Sequence, residues 1–181
     1  MSDRAMDALA GIDLVLASTS RYRRALLERL TPIFRTLAPD VDETARAGEF
    51  PATVATRLAA AKAIAIAAAC PNALIIGSDQ LAELDGRTLG KPGTDAAARA
   101  QLTAASGRSV VFHTAVCLVD TRGVIARDFR AVDTTRVVFR RLDDAEIARH
   151  VDAEQARDWA GRLQAEGLCL LRCAPPEGSA P

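Results

Sequence analysis

The alternation of apolar and polar positions along this chain predicts a mixed series of strands and helices. The apolar run Ile12–Ala17 ends at a serine-rich turn, which is typical of a buried strand followed by a helix. That helix is expected over Thr19–Leu30, and a second strand is expected over Ile33–Ala38. After an acidic loop, Pro51–Cys70 has the strong helix formers of a long helix. The run Ala73–Gly77 predicts a buried strand that ends at the sequence SDQ.

The second half of the chain has turn signals between shorter segments. Asp85-Gly86 predicts a hairpin turn, Thr94 is a helix cap, and Gly107 closes the same helix. The expected elements are a hairpin over 81–89, a helix to about Ser106, two long antiparallel strands over Val110–Val119 and Val124–Phe139, and a short helix over Asp143–Val151. Because βα units are combined with an antiparallel part, we expect an α/β fold (α+β mixed) with one central mixed β-sheet and flanking helices.

Composition narrows the class of protein without naming a reaction. The 181 residues fit one domain, or two small lobes around a cleft, and Lys+Arg and Asp+Glu both number 23. This balance gives no bias toward nucleic acid or an acidic membrane. The first residues lack the apolar stretch of a signal peptide, so we expect a cytoplasmic protein without a membrane span. We expect one domain over 1–181, a flexible start at 1–11 and a loose tail at 174–181.

The four cysteines, Cys70, Cys117, Cys169 and Cys173, form no C-x-x-C pair and have no nearby histidine. Zinc sites and disulfide frameworks usually show such spacing, so reduced thiols are the expected state. His113 and His150 are likewise interpreted as isolated structural residues.

Three arginines, Arg21, Arg23 and Arg24, stand at the predicted start of the first helix. A helix N-terminus carries positive partial charge, and each cation placed there typically lowers the stability of the helix by about 0.3–1 kcal/mol. Either these arginines are solvated, or a negative group normally lies between them. The pattern therefore raises the hypothesis of a phosphate ligand.

Candidate functional groups also occur elsewhere in the chain, and each has a purely structural explanation as an alternative. Asp79 follows a buried strand, where ligands often bind in open sheets, but it could equally cap a turn. Lys91 lies in the loop LGKPG, where most lysines are simply solvated. Lys62 and Arg57 are about 140° apart around their helix, so one could enter a cleft while the other pairs with a carboxylate. The acidic loop with Glu43 could supply a magnesium ligand or be only a solvated loop.

Taken together, several segments resemble the Maf family of nucleotide pyrophosphatases. The matching pieces are LASTSRYRRALLERL, VDET, RLAAAKA, LIIGSDQ, LGKP, ASG, TTRVVFRRL and AGRLQAEG. These pieces occur in the family's order and spacing, and the similarity extends over about residues 14–171. The resemblance implies two lobes around a deep cleft, as in the Maf and ITPase-like folds. It also implies hydrolysis of a nucleoside triphosphate to a monophosphate and pyrophosphate with a divalent cation, Mg²⁺ or Mn²⁺.

The resemblance also implies roles for individual residues. Ser18, Arg23, Lys62 and Lys91 would bind phosphate, and Lys91 would also take part in catalysis. Glu43 and Asp79 would hold the metal, with Asp79 as the proton acceptor. The partner would be a small nucleotide rather than nucleic acid or a membrane, and a homodimer is left open.

Three positions are similar to the branch that acts on 7-methyl-GTP. These are Tyr22, Gln80 and Glu166, where the pyrimidine-preferring branch has Arg, Thr and Gln. An aromatic face and a carboxylate would both attract the cationic methylated base. The alternatives are a pyrophosphatase for dTTP, UTP or another modified nucleotide, and a weakened nucleotide-binding regulator of cell division. Arg21 replaces the usual proline, and the family's last helix is expected to be absent.

Overall fold

Most of the strands and helices occur where the hydrophobic pattern of the sequence predicts them. The structure is a computed structural model that describes residue 9, residues 11–123 and residues 126–155. Within these residues the elements are, in order, β1 (Asp13–Ala17), α1 (Arg21–Glu28), β2 (Arg35–Leu37), α2 (Pro51–Ala67), β3 (Ala73–Leu84), β4 (Arg87–Leu89), α3 (Asp95–Ala105), β5 (Ser109–Asp120), β6 (Arg127–Val138) and α4 (Asp144–Gln155).

The described strands form one mixed sheet. Its order is β2-β1-β3-β5-β6, and β4 pairs with β3 outside this path. Strand β1 pairs in parallel with both β2 and β3, whereas β3 and β4 are antiparallel. The parallel pairs arise because helices connect the strands, and the antiparallel pair arises from the turn at Asp85 and Gly86, which both have positive φ. The predicted mixed sheet with flanking helices is confirmed.

The prediction that the third strand ends at Gly77 is wrong. Strand β3 continues through Asp79 to Leu84, and Ser78 and Asp79 stay buried within it. The reason is a change of partner along the strand. Its parallel pairing with β1 reaches Ala17 opposite Gly77, and its antiparallel pairing with β4 begins at Ala82. Asp79 therefore lies in mid-strand, but just beyond the point where the parallel pair ends.

Helix ends differ from the predictions by a few residues. Helix α1 begins after Ser20, whose side chain accepts a hydrogen bond from the Arg23 amide. Helix α3 is capped by Thr94 as expected. Helix α4 is longer than expected, and its start is held by reciprocal bonds in which the Asp143 carboxylate accepts from the Glu146 amide and the Glu146 carboxylate accepts from the Asp143 amide.

Helix α2 is rich in alanine and largely buried, including Leu58, Ala59 and Ala63. It packs against β3 at Gly77 without an intervening side chain. A Cβ atom placed on Gly77 would lie 2.1 Å from the Ala59 carbonyl oxygen and 2.8 Å from the Ala63 nitrogen. Only glycine therefore permits this close packing. Among the described residues, no helix is both long and apolar enough to cross a bilayer.

The described chain divides into two compact units. The first contains the described parts of 1–79 and 114–133, and the second those of 80–113 and 134–181. An apolar cluster in the first unit includes Leu14, Leu16, Leu27 and Leu74. The core cluster of the second includes Phe112 and Phe139, together with buried residues of α3 and α4. A single domain over 1–181 stays a prediction. Apart from residues 9 and 11, the expected flexible start and loose tail lie outside the described residues.

Candidate active site

The candidate site in the first unit is centred on Lys62 of α2. Its side chain is only 7% exposed. Its Nζ atom lies 2.6 Å from Asp79 Oδ1 and 2.8 Å from Glu43 Oε1. A buried ammonium group is tolerated only when it is paired, and here two carboxylates share it. The sequence left open which cation of α2 is buried, and the structure shows that it is Lys62.

Arg23 joins the same cluster from α1. Its Nη2 atom lies 3.8 Å from Asp79 Oδ1, and Nη1 donates to the buried Ser18 hydroxyl oxygen at 3.5 Å. The Ser18 oxygen also accepts a bond from the Ser20 amide at 3.1 Å. Because Ser20 caps α1, Arg23 falls in the first turn of the helix. A continuous chain of contacts therefore joins Ser18, Arg23, Asp79, Lys62 and Glu43.

The ends of the parallel strands explain why these residues meet. Strand β1 ends at Ala17, opposite Gly77, so Ser18 and Asp79 follow the parallel pair at the same edge. Open sheets with parallel strands bind ligands at this edge. The N-terminus of α1 lies there too, and its unpaired amides and dipole favour a negative group. The site thus combines a place for an anion with a buried carboxylate.

A divalent cation fits the chemistry of this donor set. Glu43 and Asp79 both place an oxygen within hydrogen-bond distance of the same nitrogen atom, so the two carboxylates are near neighbours. Magnesium usually takes one or two carboxylates and completes its shell with phosphate and water. Among the described residues, no group of three or more His, Cys, Asp or Glu side chains could hold a metal on its own. The two carboxylates fit a cation of this kind that also binds phosphate or water.

The other predicted site residues lie elsewhere in the described chain or outside it. Tyr22 is in the first turn of α1, and the Arg21 guanidinium carbon lies 4.9 Å from the centre of its ring. Gln80 and the exposed Lys91 belong to the second unit, where Gln80 follows Asp79 on β3 and Lys91 comes after β4. Glu166 lies outside the described residues. The roles of all these residues stay predictions.

Sequence reasoning missed the partner of Arg57. Its Nε and Nη2 atoms each donate to Glu49, both at 2.7 Å, and Nη2 also donates to the Thr44 carbonyl oxygen at 3.1 Å. This pairing lowers the pKa of Glu49 from its ordinary 4.5 to about 2, helped by a bond from the Arg46 amide. The angle of about 140° between Arg57 and Lys62 indicated that the two cations face different surroundings; both pair with carboxylates, Arg57 with Glu49 and Lys62 with Asp79 and Glu43.

His113 has no partner nearby in the sequence, but it has polar neighbours in the fold, and its structural role stays a prediction. Its Nε2 atom lies 2.7 Å from Glu83 Oε2, and its Nδ1 atom lies 3.4 Å from the Thr134 hydroxyl oxygen. All three residues belong to the second unit. By contrast, Cys70 and Cys117 are buried free thiols as expected, and burial raises the pKa of the Cys117 thiol. Cys169 and Cys173 lie outside the described residues.

Comparison with known proteins identifies clear relatives. The family model described as Maf-like protein matches residues 13–177. The chain is 56% identical over 155 residues to the 7-methyl-GTP pyrophosphatase of Xanthomonas oryzae pv. oryzae (strain MAFF 311018), covering 86% of this chain and 80% of that protein. It is 52% identical over 157 residues to the protein of that name from Albidiferax ferrireducens, covering 86% and 77%. Among solved structures, the Ham1 protein of Staphylococcus aureus is similar, with a TM-score of 0.40, 17% identity and coverage of 70% and 72%.

Proposed function

Because the chain belongs to the Maf family, we propose that it hydrolyses 7-methyl-GTP to 7-methyl-GMP and pyrophosphate. The observation that carries this proposal is the buried Asp79 carboxylate, held by Lys62 and Arg23 beside the N-terminus of α1. Such an arrangement combines an anion site with a proton acceptor, which hydrolysis of a phosphoanhydride requires. Relatives that are 50–56% identical have the name of this activity.

The triphosphate would bind at the arginine-rich start of α1. The Ser18 hydroxyl, the Arg23 guanidinium and the helix N-terminus all favour negative charge there. Lys91 is proposed to contact the phosphates as well. A guanidinium group at this position also stabilises the charge that develops on the departing pyrophosphate. Of the three arginines at the start of α1, Arg23 is therefore the proposed neighbour of the anionic ligand, whereas Arg24 pairs with Glu28.

Asp79 is the proposed proton acceptor. Water attacks the α-phosphorus, a new P–O bond forms, and the bond to the bridging oxygen between the α- and β-phosphates breaks. The proton of the water passes to Asp79, and pyrophosphate leaves with the bridging oxygen. Lys62 holds Asp79 and Glu43 in place and offsets their mutual repulsion. A divalent cation held by Glu43 and Asp79 would supply charge neutralisation on the phosphates and make water more acidic.

Tyr22, Gln80 and Glu166 are the proposed determinants of base specificity. N7-methylation makes guanine cationic, and a cation is attracted by an aromatic face and by a carboxylate. A glutamate also accepts hydrogen bonds from the N1–H and exocyclic amine of guanine. The Arg21 guanidinium carbon lies 4.9 Å from the centre of the Tyr22 ring, so the methylated base would take the other face of the ring or displace Arg21.

A nucleotide panel tests the proposal directly. Release of pyrophosphate would be measured with 7-methyl-GTP, GTP, dTTP and UTP in the presence of Mg²⁺ or Mn²⁺. We expect the highest kcat/KM for 7-methyl-GTP, with a monophosphate as the second product. Faster turnover of dTTP or UTP would overturn the substrate assignment while leaving the reaction type intact. Release of orthophosphate instead of pyrophosphate would overturn the reaction type.

A further inference from the structure

The loop that carries Glu43 is tied to α2 by a pair of residues outside the catalytic set. Arg57 and Glu49 form a two-bond fork, and their side chains are only 20% and 14% exposed. A planar guanidinium in this geometry fixes both direction and distance of the carboxylate. The loop segment that ends at Glu49 is therefore anchored to the first turns of the helix.

The same guanidinium also holds the backbone beside Glu43. Arg57 donates to the carbonyl oxygen of Thr44, and the Thr44 amide donates to Asp42 Oδ1 at 2.9 Å. The amide belongs to the peptide unit that joins Glu43 to Thr44, and the carbonyl belongs to the next one. Both peptide planes that follow the Glu43 Cα atom are thus fixed by hydrogen bonds to charged side chains.

Helix α2 therefore contacts the Glu43 loop at two points. Arg57 donates to the loop backbone, and Lys62, five residues later on the same helix, contacts the Glu43 side chain. Both residues belong to a helix that is buried around Leu58 and Ala59. The Glu43 side chain is 50% exposed and long, so the position of its carboxylate depends on the hold on its backbone as well as on the contact with Lys62.

We propose that Arg57 and Glu49 are positioning residues that hold Glu43 in the geometry needed for cation binding and hydrolysis. The inference rests on the proposed function for its chemical consequence, but the tether itself is a property of the free protein. Residues that orient metal-binding side chains commonly affect activity without touching the substrate. Arg57 and Glu49 act in this way on Glu43.

Variants Arg57→Lys and Glu49→Gln test the tether, with Asp13→Asn as a matched control. Asp13 forms an equivalent two-bond fork with Arg35, at 2.9 and 2.7 Å, between β1 and β2. Hydrogen exchange would be measured across residues 42–49 in the protein free of metal and nucleotide. We expect exchange about tenfold faster in both test variants, which is the effect of losing one charge-assisted bond. The control should leave exchange in this loop unchanged, and the thermal midpoint of each variant would be measured so that a general loss of stability is distinguished from a local effect.

Kinetics on the same variants test the chemical consequence. Arg57→Lys and Glu49→Gln should lower kcat by about 10–100-fold, with little change in KM for the nucleotide. The half-activating concentration of Mg²⁺ or Mn²⁺ should rise, and Asp13→Asn should alter none of these values. Unchanged exchange in the loop, or a kcat equal to that of the control, overturns the inference. Lack of turnover in the unmodified protein overturns the proposed function instead, and the exchange result distinguishes the two failures.

Discussion

Neighbouring arginines on α1 take part in two very different ion pairs. Arg23 lies near Asp79, which Lys62 also contacts, and the Lys62 and Asp79 side chains are 7% and 8% exposed. Arg24 pairs with Glu28 one turn later, and these side chains are 60% and 48% exposed. Exposed pairs contribute little to stability, whereas buried charges lose much of their hydration. Burying the charged side chains of Lys62 and Asp79 therefore adds little net stability to the fold. A role in binding or catalysis explains their burial better.

The largest effect is expected from Asp79→Asn. The amide keeps the size of the side chain but accepts no proton, so kcat should fall by about 10²–10⁴-fold. Nucleotide binding should persist, because Ser18 and Arg23 are unchanged. Pyrophosphate release and equilibrium binding would be measured side by side. An unmodified protein that binds nucleotide without turnover would favour the regulator of cell division over the enzyme.

Lys62→Met should have the next largest effect, on stability. It leaves the buried Asp79 with only the longer contact to Arg23, and breaking a buried pair destabilises by about 3 kcal/mol or more. Chemical unfolding would give the free energy. The double variant with Asp79→Asn should be more stable than Lys62→Met alone, because the buried carboxylate is then gone and only the half-exposed Glu43 has lost the lysine. A double variant that is the least stable of all would contradict this account.

Gly77→Ala should destabilise the protein by about 1–3 kcal/mol, the usual effect of overpacking. The added Cβ would meet the backbone of α2 at Ala59 and Ala63, which cannot move aside like a side chain. Gly90→Ala is the matched control, since nothing lies within 4 Å of its Cβ position. Thermal unfolding of both variants measures the difference. Equal midpoints would show that α2 is able to shift away from β3.

Acidification should destabilise the unmodified protein more than the Glu49→Gln variant. The pKa of Glu49 is lowered from 4.5 to about 2 by Arg57, so its pairing contributes stability above pH 4.5. This contribution is lost as the pH falls from 4.5 through about 2, when the carboxylate takes up a proton. Urea unfolding at pH 6 and pH 3 should therefore show a smaller acid-induced loss in the variant. An identical loss would mean that the pair adds nothing in solution.

Glu28→Gln should give the smallest effect. It removes the exposed partner of Arg24, and helix pairs of this spacing contribute about 0.2–0.5 kcal/mol. The thermal midpoint and kcat should both stay close to those of the unmodified protein. A loss of activity similar to that of Asp79→Asn would remove the distinction between the two ion pairs.

The sequence predicts local structure better than it predicts contacts. The Thr94 cap and the Asp85-Gly86 turn act within a few residues, so they are recognisable directly, whereas the serine-rich turn before α1 does not by itself single out Ser20 as the cap. Strand β3 was predicted too short because its change of partner from β1 to β4 depends on distant residues. The two hydrogen bonds between Arg57 and Glu49 were not predicted either, because they also depend on how the chain folds between a loop and a helix. Burial of Lys62 follows from the packing of α2 on β3, which periodicity in an alanine-rich helix does not reveal.

Because Gly77 has no side chain, helix α2 and strand β3 lie close together, and this affects the candidate site. At Gly77, strand β3 lies directly against the backbone of helix α2 at Ala59 and Ala63, so no flexible side chain separates the two elements there. Lys62 and Asp79 are mounted on these two elements and would move as one block. Under the proposed mechanism, the charges that Lys62 and Asp79 present to the reacting water would be in place before the nucleotide binds, and each turnover would need little rearrangement. Adaptation to different nucleotides would fall to parts of the chain other than this block.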